Sequence, residues 1–200
     1  IAVSSGSKEE DLEKLKYILK EIPQINFICL DVANGYTEHF VSFVTRVRLL
    51  YPSKVIIAGS VVTREMTEEL LLKGADIIKV GIGPGSICTT RVVAGVGVPQ
   101  LTAVMDVYEV TKKHNIPLIA DGGIRYSGDI VKAMVAGASS VMLGSIIAGV
   151  EEAPGETIIF ESRKYKTYRG MGSIDAMQKG SKDRYFQDHE DDLKKLVPEG

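Results

Sequence analysis

Short apolar runs alternate along the chain with longer stretches in which leucine, valine and phenylalanine recur every three or four residues. Continuous apolar runs are typical of buried strands, and the wider spacing is typical of amphipathic helices. The apolar runs predict strands at 1–3, 26–30, 54–58, 76–80, 116–120 and 140–143. The spaced stretches predict helices at 9–20, 37–50, 63–73, 101–114 and 127–136, with Thr63 and Ser127 as caps. This alternation predicts strand-helix units on a parallel sheet.

Each predicted strand ends at a polar residue or a glycine. These residues are Ser4, Asp31, Ser60, Gly81, Asp121 and Gly144. In a barrel of parallel strands, the loops at this end of the sheet converge on the active site. The pattern gives six strand-helix units, whereas a closed barrel needs about eight. The expected fold is therefore an incomplete barrel.

The pattern changes after residue 150. Two further runs, 156–160 and 164–168, predict a hairpin with a turn near Ser162. Residues 170–200 are polar and charged with little apolar periodicity, which is typical of a solvated or disordered tail. We expect residues 1–150 to form the barrel portion and residues 151–200 to belong to the same domain.

The composition narrows the functional classes. At 200 residues and 44% hydrophobic composition, the chain is long enough for one domain with a substantial core. A net charge of -2 and a pI near 6.0 argue against nucleic acid as the main partner. Cys29 lies in an apolar run and Cys88 in a polar loop, so we expect a reducing compartment and no disulfide. The apolar runs fall well short of the roughly 18 residues of a membrane span.

A glycine-rich loop with a cysteine follows the fourth predicted strand and reads GIGPGSICTTR at 81–91. Its glycines allow close approaches that other residues resist. We predict that Cys88 is a nucleophile, because Arg91 would favour the reactive thiolate. The alternatives are a buried structural cysteine and a dinucleotide-binding loop, although the third glycine comes too early for that fingerprint. The length of the irregular stretch favours function.

Five segments carry a resemblance to a known family. They are GIGPGSICTTR at 81–91, GVGVPQ at 95–100, DGGIRYSGD at 121–129, LGS at 143–145 and YRGMGS at 168–173. These specific motifs closely resemble those of the inosine monophosphate dehydrogenase and guanosine monophosphate reductase family, over nearly the whole chain. The resemblance implies an α/β fold, a partial TIM (β/α)8 barrel that lacks two strands and the final helix. It also implies that the stretch after the last strand is a mobile flap that closes over the site.

The resemblance implies a mechanism and a set of site residues. Cys88 would attack C2 of inosine monophosphate while a hydride passes to NAD, and hydrolysis would give xanthosine monophosphate. Thr90, Arg184 and Tyr185 correspond to residues that act on the hydrolytic water. The implied nucleotide contacts are Ser86, Asp121, Gly123, Gly144, Ser145, Tyr168, Gly170, Met171, Gly172 and Glu199. The implied cofactor contacts are Asp31, Ser60 and Gly81, and the carbonyl groups of Gly83, Gly85 and Cys88 would bind potassium.

Several of these residues also have a structural interpretation. Met171 could fill a packing gap, Asp31 could cap the helix that follows it, and the Thr90 hydroxyl could satisfy loop backbone. Asp121 needs a partner, because it follows a buried strand. Ser60 departs from the family pattern, which usually has asparagine at this position.

The residues leave three functions open. The dyad of Arg184 and Tyr185 and the run LVPEG at 196–200 favour the dehydrogenase, because the reductase does not need to activate water. The runs SSGS at 4–7 and FICLDVANGY at 27–36 resemble the reductase, which uses NADPH to convert guanosine monophosphate into inosine monophosphate. The third interpretation is a non-catalytic nucleotide-binding fragment, because the barrel is incomplete. For the dehydrogenase, the resemblance implies a homotetramer in the cytoplasm. It also implies a role in the biosynthesis of guanine nucleotides.

Overall fold

The computed structural model describes residues 1–187, 189–190 and 192–200. Within these residues, six parallel strands pair in chain order and form a curled half-barrel. The strands are β1 (Ala2–Ser5), β2 (Phe27–Asp31), β3 (Val55–Val61), β4 (Ile77–Val80), β5 (Leu118–Asp121) and β6 (Ser140–Met142). The predicted α/β fold, a partial TIM barrel, is confirmed.

The helices lie between the strands, as the spacing of apolar residues predicts. They are α1 (Glu9–Glu21), α2 (Glu38–Leu50), α3 (Arg64–Leu72), the short α4 (Thr90–Val93), α5 (Gln100–His114) and α6 (Ser127–Val135). In α1, the side chains of Leu12, Leu15 and Leu19 are buried in the main hydrophobic core. Burying each such side chain contributes about 1.5–3 kcal/mol to folding.

Threonine hydroxyls cap two of the helices. Thr37 accepts a hydrogen bond from the Phe40 N–H at 3.2 Å, and Thr63 accepts one from the Met66 N–H at 3.4 Å. These bonds satisfy amide groups that the first helical turn leaves without partners. The predicted cap at Thr63 is confirmed.

The predicted cap at Ser127 is wrong. Tyr126 occupies the N-cap position of α6, and Ser127 is the first helical residue. The Asp129 carboxylate accepts from the N–H groups of Arg125 and Tyr126, at 3.1 and 3.0 Å. The Asp129 carboxylate therefore satisfies these amides and also interacts favourably with the helix dipole.

Strand β6 was predicted to be buried, and the structure corrects this. Ser140 and Met142 are exposed, and in the part of the chain that the structure describes β6 pairs with β5 alone. A strand at the edge of a sheet has one row of unpaired backbone groups and one uncovered flank. An apolar run therefore predicts a strand here but not its burial.

After residue 150 the chain forms a hairpin and then a series of short helical turns. Strands β7 (Thr157–Phe160) and β8 (Arg163–Lys166) form the predicted hairpin, with a turn at Glu161 and Ser162. The next segment has short helical turns at Ile174–Ala176, Met177–Ser181 and Lys182–Tyr185, and a last turn at Leu193–Lys195. The Met177 side chain is 1% exposed. For the described residues, the turns and the buried Met177 argue against a disordered tail, while most of the side chains in this segment are exposed to solvent.

The described helices include none that is both long and apolar enough to cross a lipid bilayer.

We expect Gly137→Ala to destabilise the fold by about 2–4 kcal/mol. Gly137 follows α6 with a φ of +117°, and a Cβ atom there would lie 2.6 Å from Cδ1 of the Tyr108 ring. The free energy of unfolding in urea measures the effect. The control is Gly128→Ala, because a Cβ at Gly128 would meet nothing within 4 Å and should stabilise α6 slightly. Equal stability of the two variants would contradict this account of Gly137.

Candidate active site

A cleft of about 360 Å³ opens at the carboxyl ends of the strands. It brings together nearly all of the residues that the sequence predicts for the site. Those on its wall are Asp31, Ser60, Gly81, Gly83, Gly85, Ser86, Cys88, Thr90, Asp121, Gly123, Gly144, Ser145, Tyr168, Gly170, Met171, Arg184 and Tyr185. Gly172 and Glu199 lie outside this wall.

The loop after β4 carries Cys88 into the cleft. The Cys88 N–H donates to the Gly85 carbonyl at 3.0 Å, which closes a tight turn. A Cβ at Gly85 would lie 2.8 Å from Cys88 Sγ, so glycine is required for the thiol to sit this close to the backbone. Thr90 begins α4 and is buried beside the loop. The cysteine is half-buried at the cleft wall rather than part of the apolar core.

Arg91 lowers the pKa of the Cys88 thiol, as predicted, but it does not determine the net shift of that pKa. Burial raises the pKa of the Cys88 thiol above its ordinary value of 9.0, and this outweighs the opposite effect of Arg91. The Arg91 guanidinium instead donates to backbone carbonyl groups, to Ile82 at 3.3 Å and to Val98. Arg91 therefore holds the ends of the loop together, and Cys88 is mainly a neutral thiol near pH 7.

Lys79 is a site residue that the sequence reasoning missed. Its side chain on β4 is 3% exposed, and Nζ lies 2.8 Å from Asp31 Oδ1, 2.7 Å from Ser60 Oγ and in contact with Asp121 Oδ2. Burial lowers the pKa of Lys79, but the two carboxylates outweigh it and the pKa is raised. The available signal was a lysine within the apolar run of β4, since a buried charge needs partners.

The flap reaches the cleft through Arg184. Its Nη1 donates to Asp31 Oδ2 at 3.1 Å and to the Asp31 carbonyl at 3.3 Å. The Ala33 N–H donates to the Arg184 carbonyl at 3.1 Å, so backbone and side chain both hold the flap on β2. Asp31 is thus an ion-pair partner, and the helix after it is capped by Thr37 instead.

Tyr185 lies on the cleft wall next to Arg184. Burial raises the pKa of its phenol to about 12, with smaller contributions from Cys88 and Glu199. The hydroxyl is therefore neutral at physiological pH. A Cβ at Gly172 would lie 2.9 Å from the Tyr185 ring, so Gly172 acts by making room for this ring rather than by lining the cleft.

Glycine and hydroxyl groups line the opposite end of the cleft. Gly144 and Ser145 follow β6, and a Cβ at Gly144 would lie 3.1 Å from the Tyr168 hydroxyl oxygen. Such a glycine turn beside hydroxyl groups is suited to an anion. Met171 lies on the wall nearby and is 44% exposed, which contradicts the interpretation that it fills a gap in the core.

The last residues connect the flap to the cysteine loop. The Thr89 N–H donates to the Glu199 carbonyl at 2.8 Å, and the Glu199 N–H donates to the Gly172 carbonyl at 2.9 Å. Glu199 therefore contributes backbone contacts between the two segments. Sequence reasoning placed Glu199 near the substrate and did not predict this connection.

The described residues contain no group of three or more histidine, cysteine, aspartate or glutamate side chains that could hold a metal ion. Backbone carbonyls are a separate possibility for a weakly charged cation. The Gly85 carbonyl already accepts from the Cys88 N–H, and a carbonyl has a second lone pair. The potassium site at the carbonyls of Gly83, Gly85 and Cys88 therefore stays a prediction.

Comparison with known proteins identifies the family. The model of the IMP dehydrogenase / GMP reductase domain matches residues 1–200. The chain belongs to this family. Among curated relatives, inosine-5'-monophosphate dehydrogenase of Halalkalibacterium halodurans is 57% identical over 176 residues, 88% of this chain and 36% of the relative. The enzyme of the same name from Bacillus subtilis is 51% identical over 200 residues, 100% of this chain and 40% of the relative.

A third relative extends the comparison. Inosine-5'-monophosphate dehydrogenase of Borreliella burgdorferi is 51% identical over 191 residues, 96% of this chain and 47% of the relative. The chain thus spans less than half the length of these members of the IMP dehydrogenase / GMP reductase family.

We expect the alkylation rate of Cys88 by iodoacetamide to rise about tenfold per pH unit from pH 7 to pH 9, without a plateau. The thiolate is the reacting form, and burial places the pKa of Cys88 above 9.0. Peptide mass spectrometry measures the rate. Cys29 is an internal control that should react more slowly, because burial raises its pKa to about 11. A plateau below pH 8 would instead support the thiolate predicted from Arg91.

Proposed function

We propose that this chain is the catalytic portion of an NAD-dependent inosine monophosphate dehydrogenase, an enzyme of guanine nucleotide biosynthesis. The observation that carries the proposal is the cleft wall that Cys88 shares with Arg184 and Tyr185. A nucleophile and a water-activating pair on one wall match an oxidation followed by hydrolysis. The names of the curated relatives support the same reaction.

In the proposed reaction, the Cys88 thiolate attacks C2 of the purine and forms a carbon–sulfur bond. When bound, NAD would supply the acceptor for the hydride that leaves C2. Water then attacks C2, the carbon–sulfur bond breaks, and xanthosine monophosphate is released with the thiolate restored. Because Cys88 is mainly a neutral thiol, its proton must leave before or during the attack. Covalent catalysis divides a difficult substitution into two easier steps.

The flap and Thr90 would act in the hydrolytic half of the reaction. Arg184 and Tyr185 lie on the wall with Cys88, and Thr90 is buried beside it. Arginine is a poor base in water, so proton removal by Arg184 depends on the desolvated, closed flap. The neutral Tyr185 hydroxyl would orient the water by hydrogen bonding.

The nucleotide would lie along the cleft from Cys88 to Tyr168. Its phosphate would bind at Ser86, Gly123, Gly144, Ser145 and Tyr168, where glycine turns allow close approach of backbone N–H groups. The Asp121 carboxylate would accept from the ribose hydroxyls. The remaining proposed contacts to the base are Gly170, Met171, Gly172 and Glu199, of which Gly172 and Glu199 act through the packing described above.

The cofactor would bind at Asp31, Ser60 and Gly81, which share the cleft wall. Both polar side chains are already engaged, Asp31 by Lys79 and Arg184 and Ser60 by Lys79. These residues fit a cofactor ribose only after Arg184 leaves Asp31. The flap and the cofactor would therefore occupy this end of the cleft in turn, first the cofactor for oxidation and then Arg184 for hydrolysis.

The remaining assignments follow from the family. Carbonyl oxygens of Gly83, Gly85 and Cys88 would hold potassium, which would stabilise the cysteine loop. Residues 151–200 would serve as the flap of the same domain as residues 1–150. The protein would work in the cytoplasm as a homotetramer.

Two other functions have an observation in their favour. The runs at 4–7 and 27–36 resemble guanosine monophosphate reductase. The exposed edge of β6 favours a fragment that binds nucleotide without turnover. Absorbance at the nicotinamide band separates the three functions. NAD reduction with inosine monophosphate supports the dehydrogenase, and NADPH oxidation with guanosine monophosphate supports the reductase. Nucleotide binding without either reaction supports the fragment.

We expect Cys88→Ala to abolish NAD reduction while inosine monophosphate affinity stays within about tenfold, or roughly 1.4 kcal/mol. The thiol makes the covalent bond, whereas the phosphate and ribose contacts lie elsewhere on the cleft. Absorbance measures turnover, and calorimetry measures affinity. Cys29→Ala is the matched control and should retain turnover, since Cys29 is not on the cleft wall. Residual turnover in Cys88→Ala would exclude the covalent mechanism.

We expect Arg184→Ala to slow hydrolysis more than hydride transfer, so a burst of reduced cofactor should precede a slow steady state. Rapid mixing measures the burst. Hydrogen exchange at the Ala33 amide is a second readout, since this N–H donates to the Arg184 carbonyl and should exchange faster when the flap is undocked. The control Lys179→Ala changes an exposed flap cation and should leave both unchanged. An equal decrease of both steps without a burst would contradict the role in hydrolysis.

A further inference from the structure

The Lys79 ammonium has three hydrogen-bond donors and three acceptors around it. The acceptors are Asp31 Oδ1 at 2.8 Å, Ser60 Oγ at 2.7 Å and Asp121 Oδ2. They come from β2, β3 and β5, and Lys79 itself lies on β4. With every donor used and the side chain 3% exposed, the position of Nζ is fixed by the sheet.

Lys79 contacts one oxygen of each carboxylate, so the second oxygen of each carboxylate can bind another partner. The second oxygen of Asp31, Oδ2, accepts from Arg184 at 3.1 Å. Within the part of the chain that the structure describes, the second oxygen of Asp121 has no hydrogen-bond partner, and the Asp121 side chain is 27% exposed on the cleft wall. Lys79 thus turns one carboxylate toward the flap and the other toward the cleft.

We propose that Lys79 is a positioning residue that holds the free oxygen of Asp121 toward the ribose hydroxyls of a bound nucleotide. The proposal rests on the function proposed above, in which Asp121 contacts the ribose. Lys79 itself acts through Asp121 and does not need to touch the nucleotide.

The two carboxylates depend on Lys79 to different extents. Asp31 has a second cationic partner in Arg184, whereas Lys79 is the one cation that contacts the Asp121 carboxylate among the described residues. Without Lys79, Asp121 would also repel Asp31, because like charges in a partly desolvated site disfavour each other. Loss of Lys79 should therefore affect the ribose contact most.

The test is Lys79→Met, which keeps the length of the side chain and removes the charge. Affinity is measured by calorimetry for inosine monophosphate and for its 2′,3′-dideoxy analogue, which has no ribose hydroxyls. We expect the first affinity to fall about tenfold or more, as for loss of a charge-assisted contact. The second should change by less than about threefold, since the analogue makes no such contact.

The matched control is Lys54→Met. Lys54 Nζ donates to the carbonyls of Pro23 and Ile25, at 2.8 and 2.6 Å, outside the cleft wall. It should leave both affinities unchanged. Equal loss of both affinities in Lys79→Met would show a merely structural role, and unchanged affinities would show no role; either result overturns the proposal.

A double-mutant cycle covers the cases in which Lys79→Met folds poorly or the unmodified chain binds no nucleotide. The variants are Lys79→Met, Asp121→Asn and the two combined, and their unfolding in urea is compared. We expect the combined variant to be less destabilised than the sum of the single variants, because removing both members of a buried ion pair costs less than removing one. Additive effects would overturn the positioning of Asp121 by Lys79. If the effects are non-additive but the chain does not bind inosine monophosphate, the result counts against the proposed function and not against the positioning of Asp121.

Discussion

The candidate site depends on one buried ammonium group. Lys79 connects the carboxyl ends of four neighbouring strands, because its contacts are Asp31 on β2, Ser60 on β3 and Asp121 on β5. A lysine that is 3% exposed is tolerated only with anionic partners, since transfer of an isolated charge out of water costs several kcal/mol. The carboxylates are in turn fixed by the lysine. The strand ends and the polar groups of the cleft are therefore held by the same contacts.

The charge balance of this cluster includes Arg184. With Arg184 against Asp31, two cations face two carboxylates. Without Arg184, one cation would remain for two carboxylates, and the cleft would be more negative near Asp31. A group that replaces Arg184 at this end should carry positive charge or several hydrogen-bond donors. The proposed cofactor position lies at Asp31. The negative charge that is left there without Arg184 would favour binding of such a group.

The sequence predicted the order and approximate bounds of the strands and helices, because the periods of apolar residues differ between these elements. The sequence also predicted that most site residues meet in one cleft, because the loops after parallel strands converge. It failed where a property depends on neighbours that are distant in sequence. The pKa of Cys88 follows from burial rather than from nearby Arg91, which binds carbonyl groups instead. The apolar run at 76–80 predicts a strand but does not reveal the partners of Lys79, which lie far from it in sequence.

The two ends of the cleft differ in how the sheet supports them. Lys79 lies on β4, and Cys88 lies on the loop after β4. The partners of Lys79 lie on β2, β3 and β5, and all four strands pair with neighbours on both sides. The proposed phosphate end follows β6, whose outer edge is unpaired within the described residues. Backbone at an unpaired edge opens more easily than backbone inside a sheet. The cysteine loop and the ion cluster therefore rest on the better supported strands, whereas the proposed phosphate end rests on an edge strand.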